Sequence, residues 1–156
     1  MADITIPEPE EAIESALVAR LAAAVGVPVE GAMTPATTGE VKRFTSDTFV
    51  SVMVDQSSQD LDYHGAYSPA TFSARVTVHY ALADDPSATD FRDTCRAVRA
   101  SLRALLGDGC AALAADNFAC DGFILDSTST AFESGENPTN TKTYTATVTG
   151  RIIKEA

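Results

Sequence analysis

Residues 72–82 read FSARVTVHYAL, and the alternation along this run decides the fold. In an extended strand successive side chains point to opposite sides. Phe72, Ala74, Val76, Val78, Tyr80 and Leu82 therefore share one face, and Ser73, Arg75, Thr77, His79 and Ala81 the other. The first face is made for a core and the second is polar. The same parity bears on chemistry: His79 and Tyr80 are neighbours in sequence but leave the strand in opposite directions, so they cannot act as a catalytic pair.

After the strand, ADDP ends the extended run, and Ser87 or Thr89 can cap a helix that continues to about residue 106, with Gly107 and Gly109 closing it. The acids Asp84 and Asp85 fit a turn and helix start better than a catalytic role. Phe91, Cys95, Val98, Leu102, Leu105 and Leu106 make the apolar stripe of this helix. Arg92, Arg96, Arg99 and Arg103 form a second stripe, confined to a sector of roughly 60° centred about 100° from the first. Two readings of this ridge stand side by side. The guanidinium stems drape over the core edge with their heads in water, Asp93 pairing with Arg96 one turn away; or the ridge meets an acidic face of an identical neighbour, a head-to-tail contact that builds a ring or filament.

On the N-terminal side, residues 49–55 (FVSVMVD) form a strand with Val50, Val52 and Val54 on one face. Its other face carries Phe49, Ser51 and Met53, too apolar for free solvent, which marks Phe49 and Met53 as candidates for cover by the chain itself or by another subunit. Residues 55–70 form a long polar connection that closes or extends a hairpin. Residues 8–25 read as a helix, with Ile13, Leu17, Leu21 and Ala24 at helical spacing, Pro9 in the first turn and Gly26 at the C-terminal cap. Glu8, Glu10, Glu11 and Glu14 crowd the end where the helix dipole favours negative charge. Residues 26–47 read mainly as loop, with a short strand around 41–44.

Towards the C-terminus, residues 111–116 add a helical turn, and residues 123–132 and 141–154 are strands joined by a turn-rich ESGENPTNT linker. Tyr144, Ala146, Val148 and Ile152 alternate with Thr143, Thr145, Thr147, Thr149 and Arg151, and so dense a threonine face suits solvent or a polar interface. The expected order is α-β-β-α-β-β: an α+β fold with a small, mostly antiparallel sheet and two main helices on one face, in one domain spanning 1–156.

Composition limits function. With 22 acidic and 11 basic residues in 156, the net charge is −11, which opposes phosphate-driven binding of nucleic acid. No apolar run approaches the roughly 18 residues of a membrane span, and the acidic N-terminus lacks the basic region of a secretory signal. Cys95, Cys110 and Cys120 are odd in number and lack zinc-ligand spacing, so they read as reduced, mostly buried thiols. No phosphate-binding glycine loop, GxSxG or HExxH occurs. Asp60, Asp62 and His64 present O, O and N ligands at alternate positions, a conceivable metal site weighed against a solvated loop. No catalytic residue, metal or cofactor is expected.

The order of elements, and the segments EEAIESALVARLAAAV, FVSVMVD, ATFSARVTVHYAL, ADDPSAT and TYTATVTGRI, resemble the tail terminator (tail completion) proteins of long-tailed bacteriophages and prophages. The resemblance runs over nearly the whole chain; the long 26–47 segment and the extra 110–121 stretch depart from the shortest members. It implies a non-enzymatic structural protein that self-associates into a ring, typically a hexamer. The ring caps the tail tube, ends tube polymerisation and offers the face that joins the filled head. Its implied partners are the tail tube protein and a head-completion or connector protein, its place the virion tail, after assembly in the host cytoplasm. Two alternatives remain: another head-tail connector or tube component, and a small ligand- or metal-binding α+β domain.

Overall fold

The computed structural model of the chain describes residues 9–31, 49–59, 67–81, 89–114, 118–133 and 139–153. Helix α1 spans Pro9–Ala24, strand β1 Val29–Gly31, β2 Phe49–Gln59 and β3 Tyr67–Ala81; helix α2 spans Thr89–Arg103, a 3-10 helix Gly107–Leu113, β4 Phe118–Glu133 and β5 Thr139–Ile153. The five strands make one sheet in the order β1-β2-β3-β5-β4, antiparallel throughout except for the parallel β1–β2 pair. This is an α+β fold, with the expected order of elements and one short strand more.

The alternation of β3 sets the layers. Phe72, Ala74, Val76, Val78 and Tyr80 are buried, and the antiparallel register aligns them with Val50, Val52 and Val54 of β2 and with Tyr144, Ala146 and Val148 of β5. Ile13, Leu17 and Leu21 of α1 and Val98 and Leu102 of α2 complete the same core. Burying one valine, leucine or phenylalanine side chain contributes about 1.5–3 kcal/mol, so this single alternating pattern, repeated across strands, accounts for the layer. Rings lock it laterally: Phe72 meets Phe118 edge-on at 5.3 Å, and Tyr80 stacks on Phe91 of α2 at 5.0 Å. The helices are tied together by Arg20 Nε, which donates to the Ser101 carbonyl at 3.3 Å.

Several expectations are corrected. The 26–47 segment contains β1, held by pairing with β2 and by the Val50 amide donating to Pro28 O at 2.9 Å. The polar 55–70 connection is partly strand, because β2 runs on to Gln59 and β3 begins at Tyr67, with a bulge between Gln56 and Ser58. Helix α2 stops at Arg103; Leu106 therefore falls beyond the apolar stripe and is 41 % exposed, just before Gly107 takes φ +65°. The helical turn expected at 111–116 is a 3-10 helix that begins earlier, at Gly107. Strand β4 starts at Phe118, five residues ahead of the pattern, after which bulges at Cys120/Gly122 and Leu125/Ser127 shift its register. Glu14, one of the acids at the start of α1, is fully buried, and its carboxyl lies where any side chain at Gly31 would have to go. The strand expected at 41–44, the Asp84 and Asp85 turn and most of the ESGENPTNT linker lie outside the described residues.

Candidate functional site

Sheet register and helix phase together build a basic cleft. In β5 the even positions face the helices, as buried Tyr144, Ala146 and Val148 show. Lys142 shares their phase and pairs with Thr130 of β4, so both project to the helix side, beyond the point where the apolar core ends. From above, α2 contributes Phe91, Arg92, Cys95, Arg96 and Arg99. The result is an open cleft of about 250 Å³ lined by these five residues with Thr130, Lys142 and Tyr144. Four of the eight lining residues are cationic and none is acidic, in a chain whose net charge is −11.

The floor is fixed by Tyr144. Its hydroxyl donates to the Cys95 carbonyl at 3.1 Å in a buried bond, clamping α2 to β5, and Lys142 Nζ lies 5.9 Å from the Tyr144 ring centroid in a cation–π contact. Burial, then the neighbouring Cys95, pushes the Tyr144 phenol up to about 12. Burial likewise raises the Cys95 thiol. A thiol held protonated is a poor nucleophile, and the groups the cleft presents are cations and aromatic walls. Its rim is solvated: Arg92, Arg96 and Arg99 are exposed, and Arg96 Nη1 lies 3.6 Å from Asp93 Oδ1, the expected one-turn pair.

The ridge read from sequence is thus divided. Arg92, Arg96 and Arg99 line the cleft; Arg103 is exposed but outside it. Lys142, Thr130 and the role of Tyr144 as the floor lie outside the helix pattern that predicts the arginine ridge. The signal that could have found them is phase, since Lys142 is a charged residue at an inward position of a strand whose next inward positions are Tyr144, Ala146 and Val148.

The opposite sheet face carries Phe49 and Met53. Phe49 is half-buried and stacks on His79 at 4.2 Å, while His79 Nε2 and Ser51 Oγ are hydrogen-bonded at 3.0 Å. Met53 is 43 % exposed beside Arg75, whose Nη2 donates to Met53 Sδ at 3.2 Å and to Asp55 Oδ2 at 3.4 Å. Farther across, Thr77 and Thr143 hydroxyls are bonded at 3.1 Å, and Thr147 donates to Asp126. Among the described residues no second layer covers this face. The candidate ligands Asp60, Asp62 and His64 lie outside the described residues, within which no group of three or more His, Cys, Asp or Glu side chains could hold a metal ion. All three cysteines are free thiols, Cys95 and Cys110 buried and Cys120 half-buried. No helix among the described residues is long and apolar enough to cross a membrane.

Compared with known proteins, the chain matches no protein-family model and no curated sequence.

Proposed function

We propose that this chain is a structural subunit that self-associates into a ring and caps the tube of a phage-type tail, ending tube growth and presenting the face to which a head connector binds. The choice of the tail-terminator class rests on the resemblance in element order and segments. The observation that carries self-association is the basic cleft: four cations converge on one flank of a chain with twice as many acidic as basic residues. Such an asymmetry favours contact between one flank of a subunit and the acidic remainder of the next, a heterologous arrangement that builds a ring where the rotation between subunits closes. Arg92, Arg96, Arg99 and Arg103 are the proposed contact residues on that flank, with Phe49 and Met53 on the open sheet face as a second patch. The ring, hexameric by resemblance, would bind the tube protein on one side and the head-completion or connector protein on the other.

Light scattering coupled to size exclusion tests the assembly step, with electron microscopy of tail tubes grown with and without the protein testing the capping step. A mass several times 16.4 kDa and tubes of fixed length bearing a terminal ring are expected. A strict monomer that leaves tube growth unchanged overturns the proposal.

A further inference from the structure

The basic cleft opens beside a sheet edge that has kept its backbone hydrogen-bonding capacity. Among the described residues β4 is the last strand of the sheet, so one side of it has no strand neighbour there. Its first half is blunted: two bulges interrupt the register, Arg151 grips Asp121 through two bonds of 3.0 and 3.1 Å, and the 3-10 helix lies alongside, Cys110 Sγ donating to Cys120 O at 3.7 Å. Bulges and charges are the usual devices that protect an edge from pairing. The second half has no bulge, and its one charged residue is Glu133 at the very end. Residues 127–133, STSTAFE, pair with β5 in unbroken register from Ser127↔Thr145 to Glu133↔Thr139. Residues 127–132 are all exposed, Phe132 by 61 %. Among the described residues no backbone bond reaches their outer side.

We infer that residues 127–133 of β4 accept an extended acidic segment of a second copy of this chain as an added strand, whose carboxylates enter the cleft formed by Arg92, Arg96, Arg99 and Lys142. Parity supplies the link. Thr128, Thr130 and Phe132 share the phase of Tyr144 and Lys142, so alternate side chains of a strand laid against this edge project over the same side of the sheet as the cleft. They stand about 7 Å apart along that strand, and acids at such spacing meet successive cations. Main-chain bonds give the affinity in such a mode and the alternate side chains the selectivity. The occupant is a second copy because the chain's acidic excess, 22 residues against 11, makes its own surface complementary to this basic flank. This inference rests on the proposed self-association and adds its geometry.

The test is amide hydrogen exchange on the full chain across a concentration series, with mass measured in parallel. In the assembled wild type the outward amides of 127–133 are expected to slow by tenfold or more relative to dilute protein. The double variant Arg96→Glu/Arg99→Glu, altered only at exposed positions and checked for folding by circular dichroism, is expected to lose that slowing and to fall to the mass of one chain. An assembled wild type whose 127–133 amides still exchange freely, or a double variant that assembles unchanged, overturns the inference while leaving ring formation standing. A wild type that stays monomeric at every concentration overturns both. Particles that show the slowing yet fail to cap tubes sink only the tail assignment.

Discussion

Replacing Tyr144 by phenylalanine removes one oxygen from the junction between sheet and helix, and its consequences can be worked out at two pH values. At neutral pH the variant loses the 3.1 Å bond to the Cys95 carbonyl. A neutral buried hydrogen bond contributes about 0.5–1.5 kcal/mol net. The accepting carbonyl belongs to an interior residue of α2, where helical bonding continues to satisfy it, so the cost lies near 1 kcal/mol, or about 2–4 °C in Tm for a chain of this size. At high pH the sign reverses. The folded phenol titrates near 12 against an ordinary value of 10, so the unfolded chain releases its proton first; the neutral form therefore stabilises the fold fully below pH 10 and that share disappears as pH rises towards 12. Two units at 1.36 kcal/mol each give up to about 3 kcal/mol. Phenylalanine has no proton to lose. Urea unfolding at pH 7 should rank the variant below wild type by about 1 kcal/mol, while between pH 10 and 12 the wild type should lose stability more steeply and the gap narrow or invert. Equal stability at pH 7 together with parallel alkaline slopes would refute the clamp.

Leu102→Ala, at a position 1 % exposed within the core, is expected to cost about 2–5 kcal/mol in urea unfolding; a loss below 1 kcal/mol would mean that α2 is not packed on the sheet as described. Gly150→Ala places a methyl group against the Ala119 carbonyl and the Phe118 ring, so it should destabilise by about 1–3 kcal/mol, although alanine normally suits a strand better than glycine; a stabilised variant would contradict the close approach of β4 and β5. Native thiol titration at pH 8 should be slow at all three cysteines, because Cys95 and Cys110 are buried and Cys120 is pushed up to about 12 by its own burial and then by the Cys110 thiol; one rapidly reacting equivalent would disprove this for the residue concerned. Asp93→Asn, which breaks an exposed one-turn pair with Arg96, should change stability by less than about 0.5 kcal/mol, and a larger loss in thermal unfolding would show that the pair anchors the ridge.

Residues whose role follows from local periodicity were legible in the sequence. The alternation of 72–82 named the buried face of β3 residue by residue, the arginine stripe was visible from helix phase alone, and Asp93 met its partner. What escaped depends on partners distant in the chain. β1 is three residues long and exists through its pairing with β2, so no local pattern announces it. Gln56 to Gln59 are polar, yet β3 holds them in the ladder on both sides of a bulge, and backbone pairing outweighs side-chain character there. Glu14 is buried because Gly31, 17 positions later, leaves room for its carboxyl.

The cleft lies on the boundary between those two kinds of information. Three of its cations follow from the phase of one helix, but the fourth and the aromatic floor come from β5, and only the β3–β5–β4 register sets Lys142 beside Val78 and Thr130. On the helix side of the sheet, that cross-strand row runs from fully buried Val78 through Lys142 to exposed Thr130. The row above, Val76–Tyr144–Thr128, changes in the same direction, and the row below it ends in Phe132 at 61 % exposure. Polar residues at inward phase therefore mark where the helical layer stops covering the sheet. Among the described residues, that uncovered corner coincides with the regular half of the β4 edge and with the basic face of α2. A fold meant to be monomeric would gain stability from apolar residues at 128, 130 and 142 under a longer helix. On the self-association proposed above, polar residues at these positions keep the corner solvated in the free subunit and leave it open to an acidic neighbour.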